Sequence, residues 1–368
     1  MSDAIAPKST ALTDVAALPY LPRDPAGETP AIGLIGCGGI TQYHLTAYRA
    51  AGYRVLALCD VNEEAAIARR DEFYPDAMAM TDHRKLLALD EVQVVDVTTH
   101  PEVRVPLVAD ALCAGKHVLS QKPFVLDLDE GERLADLADK QGVLLAVNQN
   151  GRWAPHFSWL REAVRAGLVG EVAAVHCGVH WNHHWVEGTA FEQVYHLMLY
   201  DFAIHWFDFL TTAMGDRRPQ RVYASTVKSP TQRVMPALLG QAAIEYADAQ
   251  ATLVFDGHVT EGPLDDVFIA GSTGSLRSFG VDVNEQTVEW NSAAGSFRPT
   301  LAGSWFPDGF HGTMGELLCA IEEGRQPTHS ARNNLRSLEL CFAAVASALR
   351  HEPVKPGTVR QLPDPPPH

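Results

Sequence analysis

The chain has 368 residues, 46% of them apolar and 20% charged, which is the composition of a soluble globular protein too long for one ordinary core, so two domains are expected. Lys and Arg number 29 against 45 Asp and Glu, giving a formal charge of −16. With no cluster of cations to meet phosphates, this balance excludes nucleic acid and anionic membrane as main partners.

Residues 1–30 are Pro-rich and weakly patterned and read as an N-terminal tail or packed arm. From 31 to 150, short β-branched runs ("AIGLIGC", "YRVLALCD", "VQVVDVTT", "HVLSQ", "VLLAVNQ") alternate with helical patterns such as "NEEAAIARRDEF" and "LDEGERLADLADKQG". Buried strands alternating with helices predict an α/β, Rossmann-type domain with a parallel sheet covered on both faces. The pattern changes over 151–351. A helix at "HFSWLREAVRAG" and a strand at "EVAAVHCGVHW" precede a long apolar helix containing "LYDFAIHWFD". Strands with turn punctuation follow, predicting a largely antiparallel open sheet, and two helices close the domain, the second capped by Ser330. The end, 352–368, is a second Pro-rich tail. Six scattered cysteines with no C-x-x-C pair suit reduced thiols, the start lacks a secretory pattern, and no apolar run approaches the roughly 20 residues of a membrane span, so a cytoplasmic location is expected.

Gly36-Cys37-Gly38-Gly39-Ile40-Thr41 matches G-x-G-x-x-(G) at a strand-to-helix junction, with Thr41 where a third glycine is usual. Such a turn lets backbone amides approach a pyrophosphate at a helix N-terminus. Asp60 lies 22 positions beyond Gly38 at the end of the next strand, where a carboxylate accepts the ribose hydroxyls of NAD. No cation immediately follows Asp60, although Arg69 and Arg70 come later, so NAD is expected in preference to NADP.

"AGKHVLSQKPF" at 114–124 resembles the A-G-K-H-V-L-x-E-K-P signature of the Gfo/Idh/MocA oxidoreductases, and "DFAIH" at 201–205 resembles that family's D-x-x-x-H. The resemblance runs from about residue 31 to 351. It implies a Rossmann domain followed by an α/β domain whose open sheet mediates homo-oligomerisation, and hydride transfer between NAD(P) and a carbinol carbon of a sugar, polyol or cyclitol. It also implies cofactor contacts from Thr99, His100, Gln121, Lys122 and Asn150, with Arg152 at cofactor or substrate. Two departures stand out: Gln121 replaces the usual Glu, and "TTHPEVR" at 98–104, with His100 and Arg104, replaces T-P-N-x-x-H.

Oxidising a secondary alcohol needs a proton acceptor, and His205 is the natural one because an imidazole titrates near operating pH. Lys122, following a parallel strand, can stabilise a developing alkoxide. Asp201, one helical turn before His205, can orient substrate or imidazole. Asp208, on the same predicted face, reads as a structural group. Trp153, Trp181, Trp185 and His184 are candidate walls for a sugar's C–H faces and hydroxyls. Other readings compete: His205 as a satisfied core histidine, or a zinc site from Asp201, His205 and neighbouring histidines, although no H-E-x-x-H or thiolate pair supports a metal and none is expected. Two further alternatives are an NAD-dependent glycosidase and a non-catalytic dinucleotide-binding regulator.

Overall fold

The computed structural model describes residues 17–366. Its first sheet follows the alternation read from the sequence: β1 (Ala31–Ile35), α1 (Thr41–Ala50), β2 (Val55–Cys59), α2 (Glu63–Phe73), β3 (Met78–Met80), α3 (His83–Leu87), β4 (Val92–Val97), α4 (Pro101–Cys113), β5 (His117–Gln121), α5 (Leu128–Gln141) and β6 (Leu145–Asn148). All six strands are parallel in the order 3-2-1-4-5-6, so the direction of winding reverses between β1 and β4 and leaves a crevice at their carboxyl ends. Local chemistry starts and stops the helices. Asn62 caps α2 through Glu64 N–H, Asp127 caps α5 through Asp129 N–H, and Gly142 ends α5 in the left-handed conformation with φ of 68°.

The second unit opens with α6 (Pro155–Arg165) and β7 (Val172–His180), and α7 (Ile204–Ala213) follows. Then come β8 (Arg221–Val227), β9 (Leu239–Glu245), β10 (Gln250–Asp256), β11 (Leu264–Gly271), β12 (Gly274–Gly280), β13 (Gln286–Ser292) and β14 (Gly295–Phe297). They form one eight-stranded sheet in the order 14-13-12-11-7-10-9-8, antiparallel at every junction except β7–β10. Burial alternates along β9: Gly240, Ala242 and Ile244 face inward, Gln241, Ala243 and Glu245 outward. One face therefore carries the core and the other stays open.

Two helices finish the chain, α8 (Asp308–Glu323) and α9 (Ala331–Arg350), the latter capped by Ser330 as expected. Chain order groups α8 with the second unit, but its Phe310, Met314, Leu317 and Leu318 share a core with Leu45, Tyr48 and Val55 of the first. On its other side α8 approaches the second unit closely at Gly312, where a Cβ would stand 2.1 Å from the Trp153 ring.

The arms are packed where described. Residues 1–16 of the expected N-terminal arm lie outside the described residues; beyond them, Asp24 accepts from Tyr53 Oη and pairs with His311 at 2.7 Å. At the other end, Val354 and Val222 exchange N–H···O bonds of 2.9 Å, while Leu128 N–H donates to Arg360 O and Leu362 N–H to Leu126 O. The final segment is thus a strap from the edge of the second sheet to the first domain. Among the described residues, no helix is long and apolar enough to cross a membrane.

Candidate active site

The glycine turn has the shape a pyrophosphate requires. Gly36 has a φ of +102°, and a Cβ on it would meet Thr98 Oγ1 at 2.9 Å, so this position is closed to other residues. A Cβ on Gly38 or Gly39 would meet nothing within 4 Å: these two glycines border open space at the start of α1, which Ile40 leads into. Thr41 fits the third-glycine position because its buried hydroxyl donates to Gly36 O at 3.0 Å and braces the turn. Asp60 accepts from Cys37 N–H (2.7 Å) and Asn62 N–H (2.8 Å), which fixes its carboxylate beside the turn. The Cys37 thiol is buried and pushed up to about 12, chiefly by that burial, so it is inert. Arg69 donates to Gly38 O at 3.4 Å and pairs with Glu72 at 3.0 Å. The open glycines and nearby carboxylate fit a dinucleotide.

Gln121 belongs to a buried chain that sequence reading missed. His44 Nδ1 donates to Asp96 at 2.7 Å, and Tyr48 Oη donates to the same oxygen at 2.7 Å. Gln121 Nε2 and Asn148 Nδ2 donate to His44 Nε2 at 2.9 and 3.1 Å, while Gln121 Oε1 accepts Lys122 N–H at 2.7 Å. An amide at 121 supplies both the donor His44 needs and the acceptor Lys122 needs; a carboxylate supplies only acceptors. The side chain expected to contact the cofactor is therefore engaged inside the protein, where it fixes the backbone of the next residue.

Arg104, noted in the sequence only as a departure from the family pattern, is 1% exposed, and its partners are backbone carbonyls. Its guanidinium donates to Thr99 O (3.0 Å), Gln121 O (2.6 Å), Pro123 O and Phe124 O (3.4 Å), and burial pulls it down to about 10. One side chain thus ties the loop after β4, carrying Thr99 and His100, to the loop after β5, carrying Lys122. Thr99 Oγ1 is buried without a partner, and His100 stands exposed at the start of α4.

Two of the expected catalytic residues, Lys122 and Asp201, meet across the two units. Lys122 Nζ donates to Asp201 O at 3.0 Å and lies 3.4 Å from Asp201 Oδ2. His205 is held well below the ordinary imidazole value, first by burial and then by the positive charge of Lys122. Its Nδ1 is buried without a hydrogen-bond partner, close to where a Cβ on Gly151 would sit, and Trp305 meets the ring edge-on at 5.3 Å. Asn150 borders this wall: its Oδ1 accepts from Trp305 Nε1 at 2.9 Å and so positions the tryptophan.

The predicted single helical face is not what forms. Leu197–Phe202 is a π-helical turn, and α7 begins only at Ile204. Asp201 consequently reaches Lys122, while Asp208 turns the other way onto Arg152. That placement corrects the expectation for Arg152. Its guanidinium donates to both Asp208 oxygens (2.6 and 2.7 Å), Thr328 O (2.6 Å) and Asn333 Oδ1 (2.6 Å), all in the interior, and it does not face a substrate. Trp153 is likewise interior, edge-on to His329 at 5.0 Å. Trp181 stacks on His183 at 4.7 Å, and His184 is held by Asn182 (3.0 Å) and His258. Trp185, 51% exposed, leans on Phe191 and Phe202 and is the predicted tryptophan most open to solvent.

Comparison with known proteins agrees with this architecture. Residues 31–149 match the model of an oxidoreductase family with an NAD-binding Rossmann fold, GFO_IDH_MocA, and residues 157–277 match the GFO/IDH/MocA C-terminal domain. The chain is 26% identical over 346 residues to D-apiose dehydrogenase of Paraburkholderia graminis, covering 86% of each. It is 28% identical over 228 residues to an inositol 2-dehydrogenase of Burkholderia multivorans, covering 61% of this chain and 63% of that one. An Agrobacterium radiobacter oxidoreductase, solved with NAD+, L-tartaric acid and magnesium, shares the fold with a TM-score of 0.78 at 18% identity, over 90% of this chain and 99% of that one.

Proposed function

The chain belongs to the GFO/IDH/MocA oxidoreductase family, whose Rossmann domain binds NAD, and from that premise we propose that it moves hydride between NAD and a secondary alcohol or ketone of a sugar, polyol or cyclitol. The observation carrying this reading is the contact of Lys122 from one unit with Asp201 from the other, one helical turn before a His205 whose proton affinity the Lys122 charge lowers. NAD would lie along Gly36–Ile40 with its adenosine ribose toward Asp60 and its nicotinamide toward Thr99, His100 and Lys122; it supplies the hydride acceptor. The rest is done by side chains. His205, kept neutral, takes the hydroxyl proton of the substrate. The Lys122 ammonium stabilises the alkoxide as charge develops there, a contribution of roughly a few kcal/mol for one placed donor. Asp201 orients Lys122 and accepts from a neighbouring substrate hydroxyl.

The relatives named for apiose and inositol support a neutral polyhydroxy substrate. The open face of the second sheet carries Tyr223, Val227 and Phe268, which supports self-association through that face. The test is to incubate the protein with NAD+ or NADP+ and a panel of polyols, aldoses and cyclitols, following reduced nicotinamide by ultraviolet absorbance. Net reduction with NAD+ as the better cofactor is expected. Glycoside cleavage with no net reduction would instead establish the glycosidase reading, and tight NAD binding with no turnover a regulator.

A further inference from the structure

A cavity of about 750 Å³ opens beside Asp201, bounded by the His100–Glu102 rim, Leu126 and Asp127 at the start of α5, the 190–201 segment and the C-terminal strap. That volume lies within the range of about 300–1,000 Å³ typical of small-molecule sites. It adjoins the reacting centre, because Asp201 lines it and also contacts Lys122. The strap wall is built: Gln361 Nε2 donates to Asp127 Oδ2 at 2.8 Å, His196 Nε2 donates to Pro363 O at 2.8 Å, and Leu362 joins Leu126 through its N–H. These strap residues lie beyond both segments that match the family models.

Its chemistry selects an occupant. Glu102, Asp127, Asp201 and Asp364 bring four carboxylates, while among the described residues no Lys or Arg lines the space. Phosphate, pyrophosphate and carboxylate groups are disfavoured there by like charge. Carboxylates and the amides of Gln193 and Gln361 accept from hydroxyls, whereas Phe191 and Leu362 offer flat apolar surface to C–H faces. Tyr200 also lines the cavity; it is 4% exposed, and its hydroxyl is buried without a hydrogen-bond partner. An orphaned donor in such a place is one a ligand can satisfy.

We propose that this cavity is a second-ring subsite, so that the substrate is a neutral two-ring glycoside whose oxidised ring lies at Lys122 and His205 and whose other ring lies against the strap. This rests on the redox reading for the position of the first ring, but its test is a binding measurement and does not need turnover. Calorimetric titration of the NAD+-loaded protein would compare maltose, isomaltose, cellobiose, gentiobiose, lactose and trehalose with glucose, its methyl glucosides and myo-inositol. At least one two-ring sugar is expected to bind about tenfold more tightly than every one-ring compound. In Gln361→Ala and Gln193→Ala, each checked for an unchanged melting temperature, that ratio should fall by about fivefold, as expected for a lost hydrogen-bond partner. Two results would overturn the proposal: no two-ring sugar exceeding the one-ring set, or a preference that both variants leave intact. Tight, variant-sensitive binding of a disaccharide without NADH formation would uphold the subsite and reject the redox reading.

Discussion

Replacing Arg152 with methionine separates a structural cation from a substrate-binding one. In the native protein the guanidinium makes two bonds to Asp208 and one each to Thr328 O and Asn333 Oδ1, and both charged side chains are almost wholly buried. Methionine fills most of the volume but leaves the Asp208 carboxylate with only Ser337 Oγ, at 2.9 Å, as a side-chain donor. Removing one partner of a buried pair typically costs ~3–5 kcal/mol, because the remaining charge stays desolvated. The double variant Arg152→Met/Asp208→Leu removes both charges and should recover at least half of that loss, since apolar replacement of a whole buried pair is commonly near neutral. Urea unfolding followed by circular dichroism measures both, with an unchanged slope showing that the same surface is exposed. The Michaelis constant for the best polyol should stay within about threefold of wild type in the folded Arg152→Met protein, because uniform substrate binding is not being removed. A variant that is as stable as wild type but has a strongly raised Michaelis constant would refute this reasoning and return Arg152 to the substrate.

Other predictions concern the site and its surroundings. Because burial and Lys122 both depress His205, its neutral form persists below the ordinary imidazole value, so the acid limb of kcat/KM for alcohol oxidation should lie below about pH 6.5; Lys122→Met should move that limb upward, and a pH–rate profile that does not move would contradict the assignment. His156 and His329 are held at about 3 and His183 at about 4 by burial, so the unfolded chain takes up protons that the folded one does not as pH falls below about 6.5. Stability should therefore drop by up to ~1.4 kcal/mol per pH unit for each of these groups, read as a falling melting temperature between pH 7 and 5; a flat curve would be inconsistent. Gly38→Val should weaken NAD+ binding by at least about tenfold, ~1.4 kcal/mol, in a fluorescence titration while leaving stability nearly unchanged, because its Cβ projects into open space. Gln121→Glu should cost ~1–3 kcal/mol in chemical denaturation, since it sets an acceptor against His44 Nε2 in place of a donor.

Much of this architecture was legible in the sequence because it rests on local signals. Alternating β-branched runs and capped helices specify the parallel sheet, and Gly36–Thr41 with Asp60 specify the cofactor turn. Strand β12, "GSLRSFG", has little strand signal of its own because glycine and serine read as turn residues, yet it is held between β11 and β13 by the ladder. Helical spacing placed Asp201, His205 and Asp208 on one face but could not foresee the π turn that sends Asp201 and Asp208 to different partners. The family resemblance put Arg152 at cofactor or substrate. Its true partner, Asp208, is 56 positions away, and no periodicity reports a contact at that range. The same holds for the chain from Tyr48 through Asp96 and His44 to Gln121, and for Arg104, whose acceptors are backbone carbonyls with no sequence signature.

In the proposed reaction the Lys122 ammonium and the His205 imidazole act on the same reacting oxygen beside the nicotinamide. Measuring kcat and the NAD+ dissociation constant together for Lys122→Met and His205→Asn tests it most directly. Each variant is expected to lose on the order of 10²-fold or more in kcat, the size of a proton-transfer or oxyanion contribution, with NAD+ affinity essentially retained. Wild-type turnover in either variant would contradict it.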